Sequence, residues 1–263
     1  MACLKRFIAR RSKPSTIWSD NATNFKGARS VLNQLFQICR KDHVQRFCAE
    51  ENIEWKFIPP ASPHFGGLWE ANIKSTKKLL LKVTKSSVLT FEELNTLIVQ
   101  IEAILNSRPI CPLSSDPTDL QPLTPGHFLV GAPLLSIPEN DTALDSLSLP
   151  SRWVMIQKLR KDFWNRWSKE YLNSLQTRGK WRQATANLKV GQLALLKDNC
   201  STTPLNWTLC RIEKVYLGED GKARVADVRT PAGTYTRSIT RLSPLPFAEE
   251  VGHPSNGGRH VCD

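Results

Sequence analysis

Residues 16–25 read TIWSDNATNF. The β-branched and aromatic run Thr16–Ser19 suits a short buried strand, and Asn21 and Asn24 favour the turn that ends it. Asp20 stands at the mouth of that strand, where a carboxylate is well placed to hold a metal or a proton. The next two segments decide the fold class. Phe25, Ala28, Leu32, Leu35 and Phe36 recur at helical spacing and predict an amphipathic helix over 25–38 with these side chains inward. The run EWKFI at 54–58 predicts a second strand. A strand, a helix and another strand make an α/β pattern.

Working outward, residues 2–11 read as a helix and "PPASPHFGG" as a loop, followed by a helix from near Leu68 to Lys85. At about 100° per residue, Trp69, Ile73, Thr76, Leu80 and Val83 form one stripe of that helix. Glu70, Lys74, Lys77, Lys78 and Lys85 share a face turned away from it. The segment "LTFEELNTLIVQIEAILNSRP" predicts a further helix, with Thr90 as N-cap, Glu93 closing a capping box and Pro109 limiting the end. Residues 109–150 are rich in Pro, Ser and Leu and read as a connector. From Arg152 to Leu175 the period is helical again, with Trp153, Ile156, Leu159, Phe163, Trp167 and Leu175 on or beside one face. Between 187 and 246 the runs "QLALLK", "TLCRIEKVYL", "ARVADVRT" and "GTYTRSITRLSPL" alternate with turns, which predicts a small β-barrel. The polar, Gly-rich tail is expected to be disordered.

The 263 residues are 40% apolar, enough for real cores, and no apolar run reaches the roughly 18–20 residues of a membrane span. The start, "MACLKRFIARRSK", is too short in its apolar part for a signal peptide, so a nuclear or cytoplasmic protein is expected. Seven scattered cysteines without a C-x-x-C pair read as reduced, mostly buried thiols. The formal net charge of +12 comes in blocks. Residues 1–19 hold five Lys/Arg and no acid, 70–85 hold five Lys against one Glu, and 152–182 hold nine Lys/Arg against two acids, whereas 86–151 is acidic. Basic blocks separated by an acidic connector point to particular surfaces that meet a polyanion.

Glu70 heads a row of lysines. Ammonium groups suit phosphate oxygens, and a carboxylate among them suits a divalent cation bridging protein and phosphate. An ordinary Glu-to-Lys pair on a solvated helix is the simpler account if that helix stands alone. Farther on, Trp164, Trp167, Tyr171 and Trp181 lie among Arg152, Lys158, Arg160, Lys161, Arg166, Lys169, Arg178, Lys180 and Arg182. This interleaving is read as core aromatics with cations reaching phosphate. His64 has no second His or Cys beside it, so it is read as a loop residue and not a metal ligand.

These segments carry a resemblance. "WSDNATNFKGA", "IEWKFIPPASPHFGGLWEANIKSTK", "LTFEELNTLIVQIEAILNSRPICPLSSDP", "LTPGHFLVGAPL", "FWNRWSKEYLNSLQTRGKW" and "NLKVGQLALLKD" resemble, in order, the integrases of BEL/Pao-type long-terminal-repeat retrotransposons, which are ribonuclease-H-like polynucleotidyl transferases. The resemblance implies that Asp20 and Glu70 correspond to the second and third catalytic, metal-binding acids. It also implies that Lys74 and Lys77, with Lys78 beside them, touch DNA. Such enzymes hold two Mg²⁺ (or Mn²⁺) ions between three carboxylates for in-line displacement at a phosphodiester. Residues 1–19 contain no Asp or Glu for the first position, the upstream His/Cys zinc module is absent, and Ala22 stands where the family usually has Gly.

The expectation is therefore an α/β then β chain. It comprises a truncated ribonuclease-H-like core at 1–108, the connector at 109–150, a long basic aromatic helix at 151–182, a small SH3-like barrel at 183–247 and the tail at 248–263. Its expected partners are double-stranded DNA, further integrase subunits or the missing N-terminal part, with no membrane. Expected DNA contacts are Lys74, Lys77, Lys78, Arg160, Lys161, Arg166, Lys169, Arg178, Lys180 and Arg182. Metal is expected only if the acid site is completed, and the chain alone is not expected to cut or join DNA. A non-catalytic nucleic-acid- or chromatin-binding remnant is the alternative.

Overall fold

The computed structural model describes residues 1–39, 53–59, 67–85, 87–135, 151–176, 188–197, 203–219 and 221–246. The expected tail at 248–263 lies outside them. The chain divides into two compact units, 1–78 and 79–263.

In the first unit, α1 (Ala2–Arg11), β1 (Thr16–Ser19), α2 (Thr23–Cys39) and β2 (Glu54–Phe57) follow the predicted order, and α3 (Gly67–Thr84) begins. β1 and β2 pair in parallel from Thr16 opposite Glu54 to Ser19 opposite Phe57. Trp55 fixes this pair. It is buried, its ring lies 6.2 Å from that of Phe25, and its Nε1–H donates to Ser19 Oγ at 2.8 Å. The predicted inward face of α2 holds only in its first turns: Phe25, Ala28 and Leu32 are half-buried, but Leu35 is 45% exposed. The Phe36 side chain lies outside the described residues. Length explains where burial stops. At the usual rise per residue, the helix runs roughly 25 Å, whereas strand β1 offers roughly 13 Å of sheet beneath it. The unit is mixed helix and strand, and its described sheet is two strands wide.

In the second unit the last turns of α3 join α4 (Phe91–Asn106) and α6 (Ser151–Leu175) around one core. Leu79 packs there with Leu97, Ile101 and Ile104 of α4 and Ile156, Leu159, Phe163, Trp164 and Trp167 of α6. The expected stripe on α3 is thus displaced. Leu79, with Leu80 and Val83 beside it, carries the burial, because only the C-terminal turns of the helix meet this core; Ile73 is 52% exposed. The capping box of α4 forms as predicted: Glu93 N–H donates to Thr90 Oγ1 at 3.3 Å and Thr90 N–H donates to Glu93 Oε2 at 2.8 Å. Short strands β3 (Cys111–Pro112) and β4 (Pro122–Leu123) pair with each other. Helix α5 (Pro125–Val130) stops at Gly131, which takes the left-handed conformation that suits glycine at a helix end.

The C-terminal strands are β5 (Leu193–Leu196), β6 (Leu209–Leu217), β7 (Ala223–Thr230), β8 (Gly233–Ser238) and β9 (Leu242–Pro244). They form one antiparallel sheet in the order β8-β7-β6-β5-β9. This corrects the expected barrel: the sheet is not closed. Closure requires every strand to pair on both sides. Here β9 is three residues long and pairs with β5, whereas β8 pairs with β7, so the two lie at opposite edges. One face buries Ala194, Leu196, Ile212, Ala226, Val228 and Leu242. On the other side Leu193 and Leu195 meet Leu172 of α6 and Leu245, and Ser243 Oγ–H donates to the Leu172 carbonyl at 2.9 Å. Helix and sheet therefore share a core. The connector also touches the sheet: Arg229 Nη2–H donates to the Pro117 carbonyl at 2.6 Å, and Arg211 donates to the carbonyls of Asp119 and, at 2.8 Å, Gly191. Among the described residues no helix is long and apolar enough to cross a membrane.

Candidate functional site

Asp20 sits where β1 hands over to α2, and its surroundings are fixed from several directions. The Ile58 N–H donates to the Ser19 carbonyl at 3.0 Å, and Asn21 Nδ2–H donates to the Ile58 carbonyl at 2.8 Å. Ser19, buried under Trp55, donates its hydroxyl to the Asp20 carbonyl at 3.0 Å. The Asp20 side chain is half-buried, and its Oδ1 accepts from the Ala22 N–H at 2.9 Å, an Asx turn that sets the carboxylate at the head of α2. Ala22 meets this geometry without strain: among the described non-glycine residues only Ser12 and Leu205 take positive φ.

A cavity of about 980 Å³ opens beside β1. Its wall is mostly apolar, with Phe7, Ile17, Phe25 and Trp55, and Asp20, Lys74 and Lys77 also line it. The structure thus brings three of the predicted site residues to one cavity. Lys74, Lys77 and Lys78 are all exposed, but Lys78 does not line the cavity. Glu70 falls one turn before Lys74 in α3; its side chain lies outside the described residues. A divalent ion needs several oxygen donors. Among the described residues no group of three or more His, Cys, Asp or Glu could hold one. The described donor set at Asp20 is one carboxylate, already accepting from a backbone N–H.

On α6 the basic residues separate by burial. Lys158, Arg166 and Lys169 are exposed and Lys161 is half-buried, but Arg160 is only 9% exposed and stands with the core residues. Its one-turn neighbours Ile156 and Trp164 explain why, since both are buried. Arg160 is therefore no part of an exposed basic face. Trp164 and Trp167 are core, as expected, and Tyr171 is half-buried against them: with Trp207 they form a cluster in which the Trp207 ring lies 4.8 Å, 5.9 Å and 5.6 Å from the other three. Arg178, Lys180, Trp181, Arg182 and His64 lie outside the described residues.

Residues 151–245 match a family of unknown function, DUF5641. The DUF5641 match begins with the first residue of α6 and ends at Leu245, one residue past β9, so it spans the helix and sheet that share a core. No curated protein matches the chain.

Sequence reading missed one feature, a second hollow of about 450 Å³ in the first unit, lined by Lys26, Arg29, Ser30, Asn33 and Gln34 of α2 and by Phe57 of β2. Its signal was available: α2 carries two cations and no acid.

Proposed function

We propose that this chain is a nucleic-acid-binding protein of retrotransposon-integrase lineage, which holds duplex DNA through exposed lysine and arginine side chains and does not by itself cut or join strands. The observation that carries the reading is the cavity in which Lys74 and Lys77 accompany the single described carboxylate Asp20. Ammonium groups there suit phosphate, while phosphodiester transfer by two ions uses three carboxylates, of which the family resemblance matches two here, Asp20 and Glu70. The DUF5641 match supports the lineage, since that domain is often found in retrotransposon integrase regions. In the second unit Lys158, Arg166 and Lys169 of α6 are exposed as well and supply further cations for phosphate. A ribonuclease-H-like origin for residues 1–108 is part of this reading, as is metal binding only in company that completes the acid site.

The test is an oligonucleotide assay with Mg²⁺ or Mn²⁺ on the full chain. No 3′-end processing and no strand transfer are expected, while duplex DNA binds. Metal-dependent activity that disappears in both Asp20→Asn and Glu70→Gln would overturn the non-catalytic part of the proposal.

A further inference from the structure

The hollow between α2 and β2 is lined mainly by cationic and polar side chains. Lys26, Arg29, Ser30, Asn33 and Gln34 are spaced as one helical stripe, all five are exposed, and Phe57 lies against them. No carboxylate lines it. Residues 1–39 contain seven Lys/Arg and only Asp20 as an acid, and Glu54 of β2 is paired with Lys56 at 3.2 Å, so the cations of α2 favour an anion here. The hollow is also of the size that small-ligand sites usually have.

We propose that this hollow seats one unpaired nucleotide of a nucleic-acid strand. Lys26 and Arg29 take the phosphate, as a point charge and as a planar fork. Arg29 is braced by Phe57, with its guanidinium carbon 5.5 Å from the ring centroid. Guanidinium and aromatic groups are the surfaces on which unpaired bases stack. The Asn33 and Gln34 amides each supply donors and an acceptor, which is what a free base edge requires. A base inside a duplex has that edge occupied, so the amides discriminate in favour of single strands. This inference rests on the nucleic-acid reading above and adds to it a second contact site and a strand preference.

The experiment uses the full chain with a short fluorescein-labelled single strand of mixed sequence and, separately, the blunt duplex of the same sequence, by anisotropy over a range of salt. Replacing Lys26 and Arg29 together by Ala should reduce the single-strand slope of log affinity against log salt by about 0.7, the value for the one phosphate they share. Asn33→Ala with Gln34→Ala should weaken single-strand binding several-fold and leave duplex binding unchanged. If either double variant lowers the thermal midpoint, Arg29→Lys carries the test: it keeps the salt slope and loses single-strand affinity. Single-strand affinity and slope equal to the parent's throughout would overturn the proposal, as would amide variants that weaken duplex and single strand alike. If the parent binds the duplex but not the single strand, this inference alone falls; if it binds neither, the nucleic-acid reading falls as well.

Discussion

Arg152 Nε–H donates to Glu93 Oε1 at 2.7 Å, so the carboxylate that closes the capping box of α4 also anchors the first turn of α6. The Arg152 guanidinium, and after it the Thr90 backbone N–H, hold the Glu93 carboxyl down at about 2 from an ordinary 4.5. A folded-state value below the unfolded one gives stability that is complete above about pH 4.5 and is lost as the pH falls towards 2. Urea midpoints of the parent should therefore decline over that window, and Glu93→Gln should decline less steeply. Equal slopes for the two proteins would show that the pair makes no contribution.

Removing the cap on its other side gives a second check. Thr90→Ala should cost about 1 kcal/mol, the usual value of an N-cap, measured by chemical denaturation. An unchanged midpoint would mean that the Arg152 contact alone holds the start of α4.

Trp207 joins two parts of the second unit. Its Nε1–H donates to Ser107 Oγ at 3.2 Å just beyond α4, and its ring packs edge-on against Trp164 of α6. Trp207→Ala should destabilise by about 3 kcal/mol or more, as large aromatic truncations do, and Ser107→Ala by about 1 kcal/mol for the lost hydrogen bond. A stability loss confined to Ser107→Ala would contradict the packing role of the ring.

The division of α6 by burial predicts two kinds of phenotype. Arg166→Ala and Lys169→Ala should flatten the salt dependence of DNA binding and leave stability nearly unchanged, because both side chains are exposed. Arg160→Ala should do the reverse, lowering stability by about 1–3 kcal/mol through lost packing. A flattened salt slope in Arg160→Ala would contradict its burial.

Local rules made much of this chain legible. β1 falls at Thr16–Ser19, the cap of α4 at Thr90 and Glu93, and β7 at Ala223–Thr230, because each depends on propensity, capping or alternation within a few residues. What could not be read depends on partners distant in sequence. Helical spacing puts Leu35 with Phe25 and Leu32, but only the extent of the sheet beneath α2 decides where burial stops. Composition marks Arg160 as one more cation of a basic helix, and only the packing of its neighbours shows that it is buried. The open sheet has the same origin: strand runs fix the number of strands, whereas the pairing order that leaves β8 and β9 at opposite edges depends on the fold. At the site, local propensity placed Asp20 at a strand end, and the cavity it shares with Lys74 and Lys77 required the fold.

Duplex-DNA affinity of the full chain, followed by fluorescence anisotropy from low to physiological salt, separates phosphate contact most directly from any other use of the basic surface. Each phosphate neutralised on B-DNA lowers log affinity by about 0.9 per tenfold rise in salt. With Lys74, Lys77, Lys158, Arg166 and Lys169 all exposed, a slope several times that value is expected, falling by about 0.9 for each of these residues changed to Ala that contacts phosphate. No measurable binding at low salt, or an affinity that hardly changes between low and physiological salt, would contradict it.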